Sequence, residues 1–130
     1  MSEVQLVASI GAQGLTVANF RREPSGGAQF VIVVTSRGFH GRSQYALEPE
    51  ELTVLVADLQ GMYDTCSGAA EMRLHGEEDH VRFQLDRRGR LLVTGVLIQY
   101  DHPSQRLEFA FYSDQSCLPS FIAGLSSNSD

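Results

Sequence analysis

The densest concentration of chemistry-bearing side chains is His75-Gly76-Glu77-Glu78-Asp79-His80, two imidazoles and three carboxylates within six residues. These are ligand types that a zinc ion accepts. A zinc-protease pair, however, needs two histidines four apart on one helix face, whereas these are five apart and flank a turn between two predicted strands. The stretch therefore reads as a solvated hairpin tip, and no metal site is assigned. Cys66 and Cys117 could act as nucleophiles only beside a base or a helix start that lowers the thiol pKa. His40, His75 and His102 are the available bases, and Cys117 does fall near a predicted helix start. Neither cysteine stands in the local signature of a catalytic family, so core packing is the expected role. No Cys-x-x-Cys spacing occurs, and free thiols are expected, with a single bridge left open.

Other constellations reduce to local structure. Glu50-Glu51 and Glu77-Glu78-Asp79 would support acid–base work only if their environments drove their pKa values apart; helix-start electrostatics account for the first group and solvation for the second. Gly-x-Ser-x-Gly is absent, and the short glycine stretches Gly11 to Gly14 and Ser25 to Gly27 lack phosphate-loop spacing. All ten basic residues are arginine. Without lysine there is no Schiff-base chemistry, no pyridoxal-phosphate anchor and no P-loop lysine. Arg82, Arg87, Arg88, Arg90 and Arg106 are expected at one end of the second half, as a solvated rim or as a carboxylate or phosphate site. No catalytic residue, cofactor site or metal site is assigned.

The elements that position these residues are read from periodicity. At 130 residues one core suffices, and residues 1–125 are expected to form a single α+β domain with a polar tail at 126–130. Val4 to Ile10, Leu15 to Arg22, Phe30 to Val34 and Phe39 to Ala46 read as strands, the third apolar at every position and so central. Pro49 opens a helix with Glu50 and Glu51 in its first turn. Leu52, Leu55, Val56, Leu59, Met62 and Tyr63 give it one apolar face to about Tyr63. The period then becomes two: Ala70, Met72 and Leu74, then Val81, Phe83 and Leu85, then a long strand from Leu91 to Tyr100 with a candidate bulge at Gly95, then Leu107, Phe109 and Phe111. Asp114 and Ser116 are candidate N-caps for a short helix through Leu118, Phe121, Ile122 and Leu125. The expected fold is a mostly antiparallel sheet of about eight strands, in the order four strands, helix, four strands, helix, with both helices packed on one face.

The second half carries a resemblance. The run Leu85-Asp86-Arg87-Arg88-Gly89-Arg90-Leu91-Leu92-Val93, the strand Leu107-Glu108-Phe109-Ala110-Phe111-Tyr112-Ser113 with Asp114-Gln115-Ser116-Cys117-Leu118, and Phe121-Ile122-Ala123-Gly124-Leu125 resemble the WapI-type bacterial immunity proteins. The earlier helix, Glu51 to Tyr63, fits the same pattern. The resemblance implies a non-enzymatic protein that blocks a cognate toxin by stoichiometric binding, and it carries over no toxin-contacting residue; Asp114 and Gln115 read as capping residues.

Both halves of the chain are acidic, and the net charge of −6 argues against a nucleic-acid partner and suits a basic protein partner. No apolar run is long enough for a membrane span, and the opening residues lack a secretory signal, so a cytoplasmic protein is expected; monomer and homodimer stay open. With helices on one face of the sheet, the other face is free for a partner. By alternation Glu71, Arg73, Arg82, Gln84 and Glu108 point outward from it and are the candidate partner-binding residues. Two other classes compete: a secretion chaperone, though those usually open with a helix, and a small enzyme or ligand-binding domain with a pocket between sheet and helices.

Overall fold

Alternation of apolar and polar side chains decides what each strand buries, and the computed structural model shows where those faces meet. It describes residues 4–7, 13–74, 78–100 and 103–127. The elements are β1 (Val4–Val7), β2 (Gly14–Arg22), β3 (Ala28–Ser36), β4 (Phe39–Leu47), α1 (Pro49–Thr65), β5 (Gly68–Arg73), β6 (His80–Leu85), β7 (Arg90–Gln99), β8 (Gln105–Asp114), a 3-10 turn (Gln115–Cys117) and α2 (Leu118–Ser127). The predicted order of four strands, helix, four strands, helix holds. Ser126 and Ser127, expected in the tail, extend α2, and Ser126 Oγ donates to the Ile122 carbonyl at 2.8 Å.

The expectation of a single sheet is corrected: there are two antiparallel sheets, β1-β2-β3-β4 and β5-β6-β7-β8, each in sequence order. The chain leaves β4 through α1 instead of a hairpin, so β4 and β5 never pair. The edge of the first sheet instead lies against β7 and β8, joined by side chains. Gln99 Nε2 donates to the Arg42 carbonyl at 2.6 Å and Ser36 Oγ to the Ala110 carbonyl at 3.4 Å. Gly41 permits the approach, because a Cβ there would stand 2.5 Å from Leu107 Cδ2.

One hydrophobic cluster joins the inner faces of both sheets to both helices. Phe30, Ile32 and Val34 of β3, Leu52, Leu55, Leu59 and Met62 of α1, Phe83, Val93 and Phe111 of the second sheet, and Leu118, Phe121 and Leu125 of α2 all belong to it, and the Phe83 and Phe121 rings lie 5.7 Å apart. At roughly 1.5–3 kcal/mol for each large side chain buried, this cluster dominates the folding energy. As expected, β3 is an interior strand; even its outward Val31 is buried.

Helix α1 is set by local signals. Glu48 N–H donates to Glu51 Oε1 at 2.8 Å, half of a capping box, and Pro49 takes the first turn. The helix ends on Cys66 in the left-handed region, φ 55°, a conformation that costs a non-glycine residue. Its thiol donates to Gln115 Oε1 at 3.1 Å, which fastens the helix end to the 3-10 turn. Tyr63, expected on the buried face, is 40% exposed, because α1 presents a narrower stripe to the core.

Two backbone irregularities differ from expectation. Gly95 marks no bulge: the register runs unbroken through Val81, Gly95 and Phe109. A side chain there would collide with the His80 carbonyl and the Phe109 ring, so the glycine makes room. The bulge lies in β2, where the register shifts between Ala18 and Arg21 and Asn19 takes φ 55°, which asparagine tolerates better than most residues.

Candidate partner-binding surface

The candidate residues Glu71 and Arg73 on β5, Arg82 and Gln84 on β6, and Glu108 on β8 occupy alternate positions whose neighbours in sequence, Ala70, Met72, Val81, Phe83 and Phe109, are buried. All five therefore lie on the open face of the second sheet. The register assembles them. Glu71 stands opposite Arg82, and Arg82 opposite Thr94; Arg73 stands opposite His80, which pairs in turn with Val96 and then Glu108. Gln84 sits beside Leu92, which neighbours Tyr112.

Charges on this face are paired with one another. Arg73 Nη2 lies 2.6 Å from Glu71 Oε2, and Arg82 Nη1 lies 3.7 Å from the other oxygen of Glu71. Arg106 binds both Glu78 and Glu108, and Arg90 sits 5.1 Å from the centre of the Tyr112 ring. Pairs this exposed contribute little to stability; they leave a patterned and nearly neutral surface. Alternation in β7 also places Leu92, Thr94 and Val96 in the middle of the face, Leu92 and Thr94 half-buried and Val96 buried, so a less polar stripe runs between the charged strands. That arrangement of apolar centre and polar border is common in protein interfaces. The period-two spacing of Leu92, Thr94 and Val96 is the signal in the sequence that marks this stripe.

The arginine group does not gather at one end. Arg90 pairs in register with Asp114, whereas Arg106 pairs with Ile98 at the opposite end of β7. Asp86 holds Arg90 through the backbone N–H, 3.0 Å, and through Nε, 3.0 Å, and also accepts the Arg88 N–H at 2.9 Å. The backbone bond from Arg90, then its side chain and the Arg88 N–H, hold the Asp86 carboxyl below the usual carboxylate range.

Half of the acidic hairpin tip, His75, Gly76 and Glu77, lies outside the described residues, as do Asp101 and His102. Asp79 contradicts the expectation of a solvated tip, being fully buried. Its carboxylate accepts from Ser43 Oγ at 3.1 Å, from the Ile98 N–H at 2.9 Å and from Tyr100 Oη at 2.7 Å. It thereby ties β4 of one sheet to β7 and its following turn in the other. Nearby, Tyr45 Oη is buried without a hydrogen-bond partner, and burial, then the charge of Asp79, push its ionisation far up.

Among the described residues the remaining candidate chemistry is not assembled. His40 Nδ1 lies 3.2 Å from Thr35 Oγ1 and His80 Nδ1 lies 2.9 Å from the Glu78 carbonyl. Among the described residues no group of three or more His, Cys, Asp or Glu side chains is arranged to hold a metal. Both cysteines are free. Burial pushes the Cys117 thiol up, against the opposing effect of Ser113 and the Asp114 carbonyl, so the helix start does not activate it. Asp114 is a cap, but of the 3-10 turn that leads into α2 and not of α2 itself, accepting the Ser116 N–H at 3.0 Å, and Ser116 lies within that turn. No described helix is long and apolar enough to cross a membrane.

Comparison with curated proteins finds no match. The family model for WapI-like immunity proteins, however, matches residues 25–129. That span runs from the β2–β3 turn through α2, so it takes in both helices, the Asp79 tie and the whole open face of the second sheet. On that match, which reaches well beyond the second half where the sequence resemblance was read, the chain belongs to the WapI-like immunity protein family.

Proposed function

We propose that the chain neutralises a cognate bacterial toxin by stoichiometric binding, without catalysis of its own. The observation that carries this reading is the family match over residues 25–129. The open face of the second sheet, with Glu71, Arg73, Arg82, Gln84 and Glu108 around the Leu92–Val96 stripe, is the surface proposed to meet the toxin. Its fixed, patterned charges favour selectivity over raw affinity, since a mismatched partner leaves charges unpaired.

Light scattering on the chain mixed with the toxin domain encoded beside it tests the reading, and a 1:1 complex is expected. A triple variant, Glu71→Arg, Arg82→Glu and Glu108→Arg, tests the placement. Each reversal puts like charges on the partner's complementary groups and is expected to weaken binding by about 2 kcal/mol or more in sum. Unchanged affinity in that variant would move the interface elsewhere.

A further inference from the structure

The negative charge of this chain is concentrated on one element. Between Arg42 and Arg73 the sequence has no Arg, Lys or His, yet Glu48, Glu50, Glu51, Asp58 and Asp64 fall on α1 or its N-cap. On the open sheet face, by contrast, Arg73, Arg82 and Arg106 stand against Glu71, Glu78 and Glu108 and cancel. The helix therefore presents most of the net charge of −6.

That helix also borders a groove. α1 turns back through Cys66 and Ser67 into β5, so its N-terminal half lies beside the far end of β5, a terminal strand of its sheet. Between them is a mainly apolar cleft of about 300 Å³ whose walls include Leu47, Val54 and Met72 together with Glu50, Glu71 and Arg73. Val54 is 55% exposed, on a helix whose opposite side, Leu52, Leu55, Leu59 and Met62, is buried in the core. Asp58 stands one turn further along the same exposed stripe.

Resting on the partner-binding reading above, we propose that this groove seats a basic segment of the protein partner, an aliphatic side chain beside Val54 flanked by arginine or lysine side chains facing Glu50 and Asp58. Charge selects the occupant. A phosphate backbone would be repelled, and a second copy of this chain would bring acidic helix against acidic helix. A basic protein is attracted over about a Debye length, roughly 8 Å at physiological salt, and is steered toward a site that adjoins Glu71 and Arg73 of the open face.

The test is an amide NMR titration of the full chain with the peptide acetyl-Arg-Leu-Arg-Leu-Arg-amide, using the glutamate counterpart as control. Saturable shifts are expected at Glu50, Val54, Asp58 and Glu71 to Arg73 with the basic peptide only. They should weaken about tenfold in the Glu50→Gln/Asp58→Asn variant and on raising salt to about 0.5 M. No saturable shift, or shifts centred on Arg82 and Glu108, would overturn the proposal. Association with the toxin domain separates this from the broader reading. Tight toxin binding at an unchanged association rate in Glu50→Gln/Asp58→Asn removes the groove and keeps the immunity role. Peptide seated in the groove with no toxin held removes the immunity role and keeps the groove.

Discussion

Asp79 and Tyr45 are both buried polar side chains, yet opposite outcomes are expected on removing their polar atoms. Asp79 satisfies a hydroxyl from each of Ser43 and Tyr100 and the Ile98 N–H. Truncation to alanine strands the buried Ser43 hydroxyl and the Ile98 N–H, at about 1–3 kcal/mol each before relaxation, while the half-exposed Tyr100 can turn to water, so Asp79→Ala should cost about 2 kcal/mol or more in urea unfolding. Tyr45 Oη has no partner to lose, and Tyr45→Phe should leave stability unchanged or raise it by up to about 1 kcal/mol. Asp86 gives a pH signature. Its folded-state pKa is depressed by the Arg90 N–H, by the Arg90 side chain and by the Arg88 N–H, so its contribution is present above the unfolded carboxylate pKa of about 3.9 and is lost as pH falls through the lower folded value. Asp86→Asn should therefore lower the melting temperature at pH 7, and the difference from the parent should close in strong acid. None of Asp79's role was legible in the sequence. Its neighbours Glu77, Glu78 and His80 suggest solvent, and its partners lie 36, 19 and 21 residues away, a separation that no local pattern encodes.

Elements governed by local physics were legible, and those governed by distant packing were not. Helix α1 announced itself through Pro49, Glu50, Glu51 and the Leu52-Leu55-Leu59-Met62 face, and it runs only two residues beyond its expected end. The strands of the second half followed from period-two alternation, which also placed the five candidate residues on one face. Alternation says which side chains share a face; it does not say which strand is the neighbour, and so it could not separate one sheet from two. Gly95 shows the same limit. A glycine within a strand signals either a bulge or a close approach, and only the position of Phe109 and the His80 carbonyl decides for the approach. Gly95→Ala should therefore overpack the sheet and cost about 1–3 kcal/mol, read as a lower urea midpoint with the slope unchanged.

At the scale of the whole molecule, a single core cluster draws on both sheets and both helices. Thermal unfolding is therefore expected as one cooperative transition, with Asp79→Ala lowering it as a unit and producing no separate early step. Family membership gives the molecule its proposed task, and the charge distribution divides the labour: a nearly neutral, patterned sheet face and an acidic helix beside it. The measurement that tests the central claim most directly is a titration of the neighbouring toxin domain's activity with this chain. Stoichiometric blocking predicts a linear loss of activity that ends at one equivalent and returns when the complex is separated. Full inactivation by a small fraction of an equivalent, or permanent loss after separation, would reveal catalysis by this chain and contradict the account.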